Sequence, residues 1–268
     1  MNSVEIMGGL GNQLFQYTFY RYLQKLGVKD VTVSKLFYSM EFPSGNEFTK
    51  REFLLDKYNT CYVSVEGETT CRYCCTEADF SDEIPKLYDD VLYEGYWQDI
   101  RYYNEVKAEL CSELELKPQY IDESMKAFVD DMAGCNSVAL HIRRSDYLTQ
   151  TNKEIFEQLT LDYYAQAVSV IAELTEDEPV LYIFSDDNDF ISNNMSGFLG
   201  YRTVIMELRE PYQDMYLMSS ARHNIIANST FSWWAATLNK NSGNITVAPS
   251  AWMKGRNVNL YHKGWVVL

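Results

Sequence analysis

Short apolar runs at residues 138–142, 180–184, 203–206, 224–227 and 245–248 alternate with amphipathic stretches in the second half of the chain. This alternation restricts the fold more than any other feature. Apolar residues at helical spacing over 160–174 and 211–221, and after Trp234 as far as about Asn239, predict the intervening helices. Strands separated by helices in this way build a parallel sheet covered on both faces.

The first half repeats the pattern less clearly. Residues 4–7 predict a strand and 8–13 a glycine turn. Residues 14–26 predict an amphipathic helix, with Gly27 as its C-cap. The turn exposes Asn12 and Gln13 at the helix start. It lacks the third glycine of G-x-G-x-x-G and any Gly-Lys-Ser/Thr, so no dinucleotide or P-loop fingerprint is present. A second strand is expected at 31–33, a strand and loop at 91–98, and helices at 103–116 and 121–133. Residues 37–94 show poor periodicity and predict irregular structure with short helices, suited to variable substrate contacts. The boundary between two α/β domains is expected near residue 135, giving 1–135 and 136–268.

Three polar clusters follow predicted strands of the second half. The first is His141, Ile142, Arg143, Arg144, Ser145 and Asp146. Strand alternation places His141 and Arg143 on one face and Ile142 on the other. The second is Ser185, Asp186 and Asp187. The third is Asn228, Ser229, Thr230, Phe231 and Ser232, at a helix start. Carboxyl ends of parallel strands share one edge, where open α/β sheets bind ligands. Arginine forks and the N–H groups of a helix start both suit an anion. A solvated charge cluster and a plain N-cap by Ser229 or Thr230 are the competing readings. Asp186 and Asp187 invite a divalent metal. The neighbouring arginines supply the same charge stabilisation, so the metal-free reading is favoured and Asp186 is assigned to hydroxyls of a ribose, base or sugar.

Composition excludes several classes. With a net charge of −15 over 268 residues, the chain lacks the basic face a nucleic-acid partner needs. No apolar run approaches the ~20 residues that span a bilayer. The opening residues are too short and polar for a secretory signal, so a cytoplasmic location is expected. The six cysteines include a C-x-x-C at Cys71 and Cys74, but no matched second pair or nearby histidine. Free thiols are therefore expected rather than zinc. The 21 tyrosines and five tryptophans suit stacking on sugar rings, although most large aromatics fill cores.

Four stretches together resemble the bacterial α-1,2-fucosyltransferases. They are residues 9–17 (Gly-Leu-Gly-Asn-Gln-Leu-Phe-Gln-Tyr), 141–147 (His-Ile-Arg-Arg-Ser-Asp-Tyr), 184–187 (Phe-Ser-Asp-Asp) and 226–234 (Ile-Ala-Asn-Ser-Thr-Phe-Ser-Trp-Trp). The family usually has glycine where Ser145 stands and often tryptophan where Phe190 stands. The resemblance implies a GT-B-like fold, with two Rossmann-like domains facing a cleft. The N-terminal domain would lie on the acceptor side and the C-terminal domain would bind the donor. L-fucose would move from GDP-β-L-fucose to the 2-hydroxyl of a terminal galactose, with inversion and without a cofactor. The acceptor would be an oligosaccharide or glycolipid, which leaves room for peripheral membrane association.

The resemblance also assigns residues. Arg143 would contact the diphosphate and His141 would lie near the nucleoside. Asp214 would read guanine, and Asn12 would face the reacting bond. Asp146 is the nearest candidate base, or else it orients the arginines. An inverting transferase for another GDP-sugar and a non-catalytic sugar-binding protein are the rival readings.

Overall fold

The computed structural model describes residues 1–41, 51–65, 71, 73–76, 90–144, 147, 149–255 and 258–268. The chain divides into two compact units, Met1–Lys117 and Pro118–Leu268.

The first unit contains β1 (Asn2–Glu5), α1 (Leu10–Lys25), β2 (Val31–Ser34), α2 (Leu36–Ser39), β3 (Ser64–Val65), β4 (Tyr73–Thr76), β5 (Val91–Glu94) and α3 (Ile100–Glu113). Its strands pair in parallel in the order β3-β2-β1-β5-β4. β3 and β4 lie in the region expected to be irregular. They are short edge strands whose sequence has no period of two, so pairing with β2 and β5 defines them rather than their own pattern.

α1 opens at Leu10, earlier than expected, with Gly9 as its N-cap. Asn12 and Gln13 therefore belong to its first turn, and both their N–H groups donate to the Gly9 carbonyl. At the other end Gly27 has φ +81°. Its N–H donates to Gln24 O, and the Val28 N–H donates to Leu23 O, the paired bonds of a Schellman ending. α1 packs against α3, and Phe19 stacks on Trp97 with ring centroids 3.9 Å apart. Tyr93 and Tyr102 meet Phe19 edge-on.

The second unit opens with α4 (Glu123–Ala133). It continues through β6 (Asn136–Ile142), α5 (Gln150–Ile155), α6 (Leu161–Leu174), β7 (Pro179–Ser185), α7 (Asn188–Asn194) and β8 (Arg202–Ile205). It ends with α8 (Pro211–Ser220), β9 (His223–Ile225), α9 (Thr230–Thr237), β10 (Thr246–Ala248) and β11 (Val266–Val267). α4 packs on α8 and β6. That packing draws α4 into the C-terminal unit and moves the division between units ahead of the expected position near 135.

The six strands run parallel in the order β11-β10-β9-β6-β7-β8. Val138, Leu140 and Ile142 of β6 share a buried cluster with Val168 and Ile171 of α6 and with Leu181 and Ile183 of β7. Burying a side chain of this size stabilises the fold by ~1.5–3 kcal/mol. The alternate β6 residues, Ala139 and His141, face the other side of the sheet. No helix among the described residues is long and apolar enough to cross a membrane.

Candidate active site

From β6 the chain of the second unit moves outward through β7 and β8. It then returns to β9, on the other side of β6. β6 and β9 are hydrogen-bonded neighbours, with Leu140 opposite Ile225. Loops leaving their carboxyl ends diverge at this reversal, and the gap between such loops is where open α/β sheets bind ligands. Arg143 and Arg144 follow β6 there, and residues 226–230 follow β9 into α9.

Both arginines are held by the carboxylates after β7. Arg143 Nη1 lies 2.7 Å from Asp186 Oδ2. The Arg144 backbone N–H donates to Asp186 Oδ1 at 2.9 Å, and its Nε donates to Asp187 Oδ2 at 3.1 Å. The Arg144 guanidinium carbon stands 3.6 Å from the Phe190 ring centroid, a cation–π contact that fixes its plane. Phe190 thus presents an aromatic face at the position where the resemblance leads tryptophan to be expected. Asp187 also caps α7, accepting the Phe190 N–H at 2.9 Å. That bond, and then Arg144, hold the Asp187 carboxyl below the usual range. Ser145 and Asp146 lie outside the described residues.

The third cluster divides by function. Asn228 is buried, and its amide donates to Glu157 O and Trp252 O, both at 2.9 Å. Ser232 is fully buried, with its hydroxyl on Ala227 O and Ser229 O. The Asn228 amide nitrogen and the Ser232 hydroxyl are thus engaged within the protein, where both side chains are expected from sequence to face the donor. Ser229 is the N-cap of α9, yet its hydroxyl makes no capping bond, so the plain side-chain cap also fails. What the segment offers a ligand is the first turn of α9, where N–H groups have no partner within the helix. Thr230 and Phe231 are half-buried at this turn.

Among the described residues of the unit, the buried atoms His141 Nδ1 and Asp214 Oδ1 have no hydrogen-bond partner. His141 lies 5.6 Å from Phe231 between ring centroids. Burial outweighs the nearby Asp186 charge and lowers its pKa to about 4, so its imidazole is neutral at pH 7. Burial raises Asp214 to about 7, against the lowering influence of Arg209. Buried polar atoms are normally paired, and an orphan on each of these side chains suits a polar ligand.

In the first unit the strand order reverses between β1 and β5. Gln13, expected to be exposed, is fully buried. Its amide nitrogen donates to Gly8 O and Glu52 O, and its oxygen accepts the Leu54 N–H. Gln16 likewise ties the Met7 N–H to Gly95 O. Asn12 alone of these amides is half-exposed, and its Oδ1 accepts from Gln98 Nε2 at 3.1 Å. Gln98 carries no signal in the sequence and Phe190 stands out there only through the family resemblance; pairing through the fold brings them to Asn12 and Arg144.

Cys61, Cys71, Cys74, Cys111 and Cys135 are free. No group of three or more His, Cys, Asp or Glu suited to a metal occurs among the described residues.

Two relatives from Escherichia coli match almost end to end. The O-antigen biosynthesis glycosyltransferase WbnK is 30% identical, over 94% of this chain and 95% of that protein. An alpha-1,2-colitosyltransferase is 28% identical, over 96% and 93%. Among solved structures, the fucosyltransferase NodZ from Bradyrhizobium superposes with a TM-score of 0.53. It is 13% identical, with 88% of this chain and 92% of that one covered. NodZ alpha-1,6-fucosyltransferase soaked with GDP-fucose gives 0.52 over the same shares. The shared fold is GT-B-like, built from parallel α/β sheets. The family model for glycosyl transferase family 11 matches residues 83–268, and with WbnK alike over nearly its whole length, this chain belongs to that family.

Proposed function

We propose that the protein transfers a 6-deoxyhexose, L-fucose in the first instance, from its GDP-β-linked donor to the 2-hydroxyl of a terminal galactose. The observation that carries this reading is the flanking of one strand-order reversal by Arg143 and the first turn of α9. A diphosphate placed there meets a guanidinium fork and a helix N-terminus together. Asp214 is assigned to the guanine and His141 to the nucleoside. Asp186, together with Arg144, is assigned to the donor's hydroxyls and phosphates.

The chemistry is a single displacement. The acceptor oxygen bonds to the anomeric carbon as the bond from that carbon to the β-phosphate oxygen breaks. The electron pair leaves with GDP, and the configuration inverts. Arg143 and the α9 N–H groups stabilise the charge that develops on the departing phosphate. The acceptor hydroxyl gives up its proton. Asp146, the carboxylate nearest the arginines in sequence, is assigned that proton. Asn12, steadied by Gln98, is assigned a substrate hydroxyl.

A colitose donor is the second reading, favoured by the 28% identical colitosyltransferase. Colitose lacks the 3-hydroxyl of fucose. A site that hydrogen-bonds that hydroxyl rejects the deoxy sugar by up to ~10⁴-fold. Incubation with GDP-fucose and GDP-colitose against a panel of galactosides, with linkage analysis, tests both readings. Fucose in α-1,2 linkage to galactose is expected. Transfer of neither sugar would overturn the proposal.

A further inference from the structure

Tyr147 lies one turn beyond the arginines and reaches back to the other side of the strand reversal. Its hydroxyl donates to the Asn228 carbonyl at 2.9 Å, one residue before the N-cap of α9. Its ring lies nearly parallel to Phe156, with centroids 4.4 Å apart and 10° between planes. The Arg143 guanidinium carbon is 5.6 Å from the same ring, within cation–π range. One side chain therefore touches both Arg143 and the residue that leads into the N-cap of α9.

The surroundings make this a fixed strut. Phe156 forms an antiparallel bridge with Met253. Asn228 is anchored from both of those segments, through Glu157 O and Trp252 O. The preceding loop is held by the Tyr163 hydroxyl, which donates to Ile226 O at 2.7 Å. Of these ties, only Tyr147 also contacts an arginine.

We infer that Tyr147 is a positioning residue that sets Arg143 and the first turn of α9 in register to grip one diphosphate. It touches no reacting atom. Its hydroxyl fixes the α9 start, and its ring, braced by Phe156, fixes the guanidinium. The inference rests on the donor reading above.

Calorimetric GDP binding to the full chain tests it through a double-mutant cycle of Tyr147→Phe with Arg143→Lys. Tyr147→Phe keeps the stack and loses only the hydroxyl bond, a change compatible with folding that thermal melts verify. Arg143→Lys keeps the charge, and so a measurable affinity, but lacks the planar fork. Tyr147→Phe is expected to weaken GDP binding about fivefold in the otherwise unaltered chain, the equivalent of one net hydrogen bond. In the Arg143→Lys background the loss is expected to shrink below about twofold. The kcat should fall while KM for the galactoside stays constant, a split that loss of packing alone would not produce. Equal losses in both backgrounds, or none in either, would overturn the role of Tyr147 and leave the donor reading standing. Absence of GDP binding by the unaltered chain would overturn both.

Discussion

Arg143 Nη1 and Asp186 Oδ2 stand 2.7 Å apart, with the two side chains only 20% and 19% exposed. Removing Arg143 therefore does two things. It deprives the departing phosphate of its proposed donor, and it takes a guanidinium away from a largely buried carboxylate. The first is expected to lower turnover about 10²–10³-fold, the usual loss of one transition-state donor. The second lowers the melting temperature. Arg143→Ala should show both effects. Adding Asp186→Asn to it should restore the melting temperature and leave turnover low. Turnover near that of the unaltered protein in Arg143→Ala would exclude the phosphate role.

Asp186 and Asp187 are the acidic pair that a diphosphate-bound metal would use, and both are already engaged by arginines. A metal recruited there would have to break two ion pairs and meet two guanidinium charges. Transfer activity is therefore expected to persist in excess EDTA. Loss of activity, restored by Mg²⁺ or Mn²⁺, would assign the two carboxylates to a metal instead.

Under the guanine-reading role proposed for it, Asp214 links pH to both stability and donor binding. Burial keeps it protonated in the folded chain up to about 7, while an aspartate in the unfolded chain ionises near ~3.9. Between those values the folded chain binds more protons. Its contribution to stability is thus complete below pH ~4 and is lost as pH rises through about 7. Guanine presents N–H donors, which favour the ionised carboxylate. GDP affinity is therefore expected to rise about tenfold from pH 6 to pH 8. Asp214→Asn should flatten both profiles. A pH-independent affinity would remove Asp214 from the base-recognition site.

Periodicity revealed most of the C-terminal sheet because its strands, buried on both faces, are continuous apolar runs such as 180–184. It missed β3 and β4, whose short sequences acquire strand form only from β2 and β5. Motifs brought the right segments to notice but did not separate their members. Asn228 and Ser229 read alike in sequence, yet the Asn228 amide is spent on two distant carbonyls. Gln13, expected to be exposed at the helix start, is buried, and with Gln16 it fastens loops to α1. Such roles depend on partners tens of residues away, such as Glu52 and Gly95, which no local pattern encodes. The arginines stand out as a charged pair after a buried strand, but their partners do not: sequence adjacency offers Asp146 to orient them, and the fold brings Asp186 and Asp187 to them.

The glycine turn before α1 offers a paired test of Asn12. Gly8 has φ +78°, and a Cβ there would lie 2.9 Å from Asn12 Nδ2. Gly9 has φ −79°, and a Cβ there would meet nothing within 4 Å. Gly8→Ala is expected to cost ~1–2 kcal/mol in backbone strain and to push the Asn12 amide off its bond to Gln98. Gly9→Ala weakens only the helix cap, by about 0.5–1 kcal/mol, and leaves Asn12 in place. Both variants should melt at lower temperature, Gly8→Ala by the larger amount. Turnover measured well below the melting transition should fall in Gly8→Ala alone. An equal fall in both would trace the loss to the loop as a whole, and unchanged turnover in Gly8→Ala would take Asn12 out of the reaction.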